Sequence, residues 1–461
     1  MVMVGFIMEK SLTVGSESKL ILLFSLPLLF SQFLQVSYSM VDAIIVGNYV
    51  GSASLGAVSV SGTLLWISNA AAMGLGTGTN ILLAQYFGAR KTRNIQQALI
   101  TITIFCLVIG LLFSFIIAFT CDSILLQLLH IPMEMFEEAK AYLMVSAFGV
   151  VFQILYQVFY GACRSFGDST SSLIFLMVAA LMNLVLDLLF VPYLHLGVLG
   201  AAYASVMSQI AACIAALLYL HRHFSFAFPG KGEGLFHIQQ LSSFLKFSLP
   251  ISTQLVVQSS GFLLLQRLVN SFGPASIEGF AVMDRTECFI HIPALSIATA
   301  ISSFVGQNVG ARQYQRVEKG IRFSLIISLA ISVVIGTLMF LFAEPVLRIY
   351  NISGDALLRG SEHLRIMCVL LPVYTVSQIV NGALQGAGDV TIPVISTFTD
   401  LALRLTFAYI MAQTLIGFRS IYLSSPPAWI IACAISVIRY RKGIWKKKQI
   451  PQGRSQRHAH V

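Results

Sequence analysis

The chain has 461 residues, 57% hydrophobic and 10% charged, with a formal net charge of +10 and a mean hydropathy of +0.82. Water-soluble domains carry about 25% charged residues, so burial in a water-soluble core is excluded and burial in lipid is implied. The seven cysteines are scattered without a CxxC or a metal-ligand spacing and read as apolar packing residues.

A membrane-spanning helix needs about 20 apolar residues. About twelve stretches satisfy this rule, at 20–45, 53–82, 95–120, 139–163, 170–192, 197–221, 243–271, 276–305, 320–345, 363–386, 391–414 and 418–438. The first follows a polar segment with Glu9, Lys10, Glu17 and Lys19 and is too long, without a small-residue cleavage site, for a removable signal peptide. Pro27 lies inside it, removes one backbone bond and makes it a hinge candidate, while Asp42 lies near its outer end in "MVDAIIVG". The second span ends at Gly88, Ala89 and Arg90, where glycine closes the helix and arginine anchors it at the headgroups. The fifth carries Asn183 and Asp187, one turn apart, and the sixth carries Ser205. Residues 222–242 turn polar around Pro229, Gly230, Gly232 and Gly234 and read as a linker. Pro250 repeats the position of Pro27, and Gly310, Ala311 and Arg312 repeat the earlier turn. In the eleventh span Asp400 and Arg404 stand at i and i+4 and neutralise one another.

Three phrases recur in the same order, roughly 221–223 positions apart: "FSLPLLFSQ" and "FSLPISTQ", "AQYFGARKTR" and "GQNVGARQYQR", "YGACRSFGD" and "NGALQGAGD". The chain is therefore two copies of one six-span unit, the build of a secondary transporter. The expected organisation is an amino-terminal lobe (1–221), a linker (222–242), a carboxyl-terminal lobe (243–440) and a basic tail (441–461). Arg90, Lys91, Arg93, Arg222, Lys231, Lys246, Arg312, Arg316, Lys319, Arg322 and the tail all fall on one side, which makes both termini cytoplasmic. Orientation thus accounts for the charge excess, and no nucleic-acid partner is implied. No GxGxxG or GxxxxGK[ST] occurs, so an ion gradient must supply the energy.

Charges within spans are costly and default to function; here they are Asp42, Asp187, Arg267, Asp284, Arg285, Glu287, Asp400 and Arg404. Odd spans run outward, so Asp42 and Asp187 lie on the order of 5–8 Å from the outer edge, with Asn183 and Ser205 at roughly 12 Å. Four oxygen-bearing side chains share one layer, which suits a proton or a sodium ion held by Asp42, Asn183 and Asp187. The repeat sets Arg404 opposite Asn183 and Ala408 opposite Asp187, so the second half lacks this layer. Arg267 is expected to neutralise Asp284 or Glu287. Gln32, Tyr38, Gln157, Gln254, Gln258 and Arg285 are candidates to line a central cavity, as are Gln153, Tyr156 and Tyr160. His130 and His291 stand alone and read as an edge and a packing residue; no enzyme motif appears.

"SLP" at Ser25–Pro27, "VDAIIVG", "QYFGARK", "GACRSFGD", "NLVLD" at Asn183–Asp187, "GQNVGAR" and "PPAWIIA" together resemble the multidrug and toxic compound extrusion (MATE) family, over nearly the whole chain. The resemblance implies an all-α integral membrane protein, two pseudo-symmetric six-helix lobes forming a V. It also implies alternating-access export of small organic, often cationic, compounds in exchange for Na+ or H+, with no cofactor. A monomer in the cytoplasmic membrane, in contact with lipid, is expected. The family's cation site matches Asp42, Asn183, Asp187 and Ser205, and its bent proline matches Pro27. A family glutamate on the seventh helix is replaced by Gln258, and "GFRSIYLSSPPAW" is short for the family. A lipid-linked oligosaccharide flippase of the same superfamily is the alternative, with Arg267, Arg285 and Arg404 as its phosphate ligands.

Overall fold

The computed structural model describes residues 11–49, 52–128, 133–230, 234–414 and 416–447. The side chains of 39–48, 52–61 and 63 lie outside that description, as do His130, the middle of the linker and the end of the basic tail. The long helices are α1 (Glu17–Tyr49), α2 (Ser52–Gly88), α3 (Thr92–Ser123), α4 (Met133–Ser165), α5 (Thr170–Leu188) and α6 (Gly197–His223). A second set follows: α7 (Ile238–Asn270), α8 (Pro274–Gly310), α9 (Tyr314–Leu341), α10 (Gly354–Gly386), α11 (Thr391–Ala412) and α12 (Ser425–Arg441). Among the described residues, 11 helices are long and apolar enough to cross a membrane, and α2 adds a helix of 37 residues. The all-helical membrane fold expected from composition is therefore present. The short "GFRSIYLSSPPAW" segment folds as a 3₁₀ turn at Gly417–Arg419 and a helical turn at Ser420–Leu423 before α12.

The surface is the reverse of a water-soluble protein's. Phe119, Leu181, Val185, Leu218, Ile326 and Ile410 are exposed, whereas Asn80, Gln85, Asn183, Asp187, Gln307 and Asn308 are buried. Apolar side chains facing outward and polar ones facing inward is what a lipid solvent selects.

The chain forms two compact units. One contains Phe30–Val256; the other contains Leu12–Leu29 and Val257–Gln449. The changeovers lie inside helices, just after Pro27 in α1 and after Pro250 in α7. In the second unit Ile21, Phe24 and Leu28 of α1 join Ile301 and Phe304 of α8 and Val380 of α10 in one apolar cluster. Leu12 is clamped there: its N–H donates to Gln307 Oε1 (2.8 Å) and its carbonyl accepts from Asn308 Nδ2 (3.1 Å). Arg316 donates to the Gly15 carbonyl at 2.9 Å. In the first unit the start of α7 is held in turn, with Ser252 Oγ donating to the Ala71 carbonyl (3.0 Å) and Tyr86 donating to Gln240 Oε1 (2.9 Å).

The duplication shows in the packing. In the first unit α2 packs on α4, α3 on α4, α4 on α6 and α5 on α6; in the second, α8 on α10, α9 on α10, α10 on α12 and α11 on α12. The glycines of the repeated "GAC" and "GAL" phrases explain the closest crossings. A Cβ on Gly161 would lie 2.2 Å from the Gly76 carbonyl oxygen, and one on Gly382 would lie 2.4 Å from that of Ala298. Small residues let transmembrane backbones approach this closely.

The Gly-Ala-Arg turns differ from expectation. The helices end at the glycine, but it is Arg90 (φ 56°) and Arg312 (φ 59°) that take the left-handed conformation. The N–H of Lys91 returns to the Tyr86 carbonyl at 3.0 Å, and that of Gln313 to the Asn308 carbonyl at 2.8 Å. This six-residue closure satisfies the last carbonyls and places its special residue two positions beyond the glycine.

Candidate ion-coupling site

α5 is amphipathic for lipid. Ser172, Phe175, Ala180, Asn183 and Asp187 form its buried face at helical spacing, while Ile174, Leu181 and Val185 are exposed. Asn183 is 4% exposed and Asp187 1%, so both carry their oxygens into protein rather than lipid. α6 packs along α5 and holds Ser205 half-buried, its carbonyl accepting from Ser208 Oγ at 2.8 Å. Between them a π-helical turn, Leu189–Tyr193, contains Pro192 and leads to Gly197, whose φ of 55° suits glycine.

The register of this pair is fixed at its other end by Asp168. Its Oδ1 accepts from the Ser171 N–H (3.1 Å), capping the start of α5. Its Oδ2 accepts from the Tyr219 hydroxyl of α6 at 2.7 Å. The same phrase one repeat later supplies Asp389, fully buried, which accepts from Arg439 Nε of α12 at 2.7 Å. Sequence reasoning had found these aspartates as a repeated phrase but gave them no role. The signal was their place directly after a glycine and before a long apolar run.

Asn183, Asp187 and Ser205 thus lie on two helices packed together. Asp42 is on α1, and its side chain lies outside the described residues. Among the described residues no group of three or more His, Cys, Asp or Glu side chains is placed to hold a metal ion. A sodium ion here would rest on carboxylate, amide and hydroxyl oxygens, the donor chemistry that hard cations take.

The cavity-lining candidates divide between the units. In the first, Gln32, Tyr38 and Gln157 are half-buried and Gln254 is buried. The α4 face continues with Gln153, donating to Asn69 Oδ1 at 3.0 Å. Further along, Tyr156 and Tyr160 have ring centroids 5.9 Å apart, and the buried Arg164 guanidinium stacks on Tyr160 at 4.2 Å. In the second unit Gln258 and Arg285 are exposed.

One expectation for the second unit changes. Arg267 forms no ion pair among the described residues; Glu287 faces His291 instead, Oε1 to Nε2 3.5 Å. His291 packs, its ring stacked on Tyr374 beside that carboxylate. The Asp400–Arg404 pair is present at 3.3 Å. Ala408, opposite Asp187 in the repeat, is fully buried.

Two repeats of long apolar helices that bury ionisable side chains away from the lipid-facing surface define the class of membrane transporters. The family model described as MatE matches residues 27–189 and 250–410, more than half of the chain and one match in each repeat. The chain belongs to the MatE family, the MATE transporters. It is 28% identical over 442 residues to the probable multidrug resistance protein YpnP of Bacillus subtilis, covering 95% of this chain and 98% of the relative. It is 23% identical to the probable multidrug resistance protein NorM of Thermotoga maritima, covering 92% of each. Its fold matches a MOP superfamily transporter of Pyrococcus furiosus with a TM-score of 0.88, at 24% identity and 95% and 98% coverage. The Vibrio cholerae MATE transporter VcmN matches with a TM-score of 0.87, at 20% identity and 94% and 98% coverage.

Proposed function

We propose that this chain exports small organic, often cationic, compounds across the cytoplasmic membrane in exchange for Na+ or H+ by alternating access. The observation that carries this reading is the buried Asn183–Asp187 pair on a helix whose other face is exposed and apolar. Ionisable side chains within membrane spans default to function, so Asp187 with Asp42, Asn183 and Ser205 is a site whose occupancy by an ion favours one lobe arrangement over another. Pro27 is the proposed hinge, because α1 passes from one compact unit to the other just beyond it. Gln32, Tyr38, Gln157, Gln254, Gln258 and Arg285 are the proposed substrate contacts. The basic loops support cytoplasmic termini, and a monomer of two six-helix lobes joined by residues 222–242 suffices for the cycle. The relatives' names, probable multidrug resistance proteins, support the substrate class.

The test is ethidium efflux from energised vesicles, driven separately by a sodium gradient and by a proton gradient. Efflux under one of them names the coupling ion; efflux under neither sinks the reading. A lipid-linked sugar flippase is the second reading, because Arg267 and Arg285 are exposed without ion pairs among the described residues. It requires the Arg267→Ala/Arg285→Ala variant to lose activity while Asp187→Asn keeps it.

A further inference from the structure

In the second unit, the first turns of α9 and the end of α12 enclose a cleft of about 440 Å³ lined by Gln315, Glu318, Lys319, Arg322 and Tyr440. Its wall is aromatic. After α12 a 3₁₀ turn, Ile444–Lys447, folds the buried Trp445 back onto the helix ends. The indole N–H donates to the Tyr440 carbonyl at 3.3 Å. The Tyr440 ring stacks on Trp445 with centroids 6.0 Å apart and planes at 7°, and Tyr314 of α9 packs on it at 6.3 Å. Two tyrosines and a tryptophan at the ends of two spanning helices mark the depth of lipid headgroups.

The basic side chains around this cleft divide into used and unused. Arg316 pairs with Glu17 at 3.4 Å and donates to the Gly15 carbonyl. Arg439 pairs with Asp389 at 2.7 Å. Lys446 pairs with Glu318, which cancels the one acid of the cleft. Lys319 and Arg322 line the cleft, are exposed and form no ion pair among the described residues. They stand at i and i+3, where side chains start about 5–6 Å apart and can reach one phosphate together. Membrane orientation alone does not account for them. Counted from the Gly-Ala-Arg turns, the same positions in the first unit are Gln97 and Ile100, both half-buried, and Gln96, where Glu318 stands, donates to the Phe226 carbonyl at 2.9 Å. Deeper on the same face of α9, Ile326, Ala330 and Val333 are exposed at helical steps of three or four. From Arg322 to Val333 this strip rises roughly 16 Å, half of a hydrocarbon core about 30 Å thick.

We propose that this cleft binds the headgroup of one anionic phospholipid. Lys319 and Arg322 hold its phosphate, Tyr440 borders the glycerol, and an acyl chain lies along Ile326, Ala330 and Val333. A zwitterionic lipid fits less well, because its own ammonium group faces the same two cations. Free phosphate uses the cations and leaves the apolar strip uncovered. Placing the lipid in the cytoplasmic leaflet rests on the orientation proposed above; the site rests neither on that orientation nor on the transport reading.

Native mass spectrometry of the full-length protein in an uncharged detergent tests the site where no leaflet exists. Phosphatidylglycerol and phosphatidylcholine with identical chains are titrated separately. Wild type is expected to bind one phosphatidylglycerol at least about tenfold more tightly than phosphatidylcholine, since each basic side chain at a membrane surface attracts an anionic headgroup. Lys319→Gln/Arg322→Gln is expected to weaken phosphatidylglycerol binding at least about tenfold. Arg222→Gln/Lys246→Gln removes the same charge from exposed positions of the first unit and is expected to bind as wild type. Equal loss in both double variants reports surface charge rather than a site and overturns the proposal, as does equal binding of the two lipids by wild type. Glycerophosphoglycerol, the same headgroup without chains, is expected not to displace the lipid at equal concentration. Displacement by it, or by inorganic phosphate, makes this a free-phosphate site and overturns the lipid. Should Lys319→Gln/Arg322→Gln fail to accumulate, the wild-type comparison of the two lipids and the bare headgroup decides. Absence of ethidium efflux sinks the transport reading and leaves this measurement untouched.

Discussion

Asp187 shares the buried face of α5 with Asn183, and that face is where an ion can be held without touching lipid. Replacing it by Asn keeps size and hydrogen bonding but removes the charge. Gradient-driven efflux by Asp187→Asn is expected to fall at least about tenfold, with unchanged elution on size exclusion, as a transport residue rather than a packing residue requires. Asp168 plays the opposite part, holding α5 and α6 in register through Ser171 and Tyr219. Tyr219→Phe removes one hydrogen bond to a charged group and is expected to cost about 1.5–3 kcal/mol in a thermal-unfolding comparison. Arg439→Ala strands the fully buried Asp389 and is expected to cost more, about 3–5 kcal/mol. Retained melting temperature in Arg439→Ala would refute the pinning role.

At the level of helices, the repeated phrases turn out to be contact rules. Gly161 and Gly382 let α4 and α10 lie against the carbonyls of α2 and α8. Gly161→Ala places a methyl 2.2 Å from a backbone oxygen, so the crossing must widen; a loss of about 1–3 kcal/mol or a failure to accumulate follows. Gly230→Ala, where a Cβ meets nothing within 4 Å, is the control and should melt as wild type. The number and order of the spans were legible because about 20 apolar residues are needed to cross a bilayer. The left-handed Arg90 and Arg312 were not legible, since propensity points to the adjacent glycine while hydrogen-bond closure decides which residue turns.

On the scale of the whole molecule, each compact unit is completed by a segment from the other half of the sequence. Leu12–Leu29 belongs with the second repeat, and the start of α7 with the first. Halves expressed separately, cut within 231–233, are therefore each expected to lack a packed segment of their core. Neither half should accumulate alone, whereas co-expression should restore both protein level and efflux. Stable accumulation of either half by itself, measured by immunoblot of membranes, would contradict this reciprocal exchange. The lobe boundary read from the polar linker marks where the chain is covalently joined; where packing changes partner is set by which helix each apolar side chain meets.

The sequence by itself determined the solvent, the number of spans and the duplication. Each follows from composition or spacing, which act along the chain: hydrophobicity sums over a window, and a duplicated phrase is a linear pattern. Beyond the i, i+4 pair of Asp400 and Arg404, only the tertiary structure decided which charged groups meet which partners. Arg267 was expected to neutralise Asp284 or Glu287, but Glu287 faces His291, one helical turn away, where Tyr374 and Trp429 pack against the imidazole. Asp168 and Asp389 looked alike in sequence and received a tyrosine and an arginine. For these two aspartates, partner choice is fixed by distances of a few ångströms between different helices, and no local pattern encodes them.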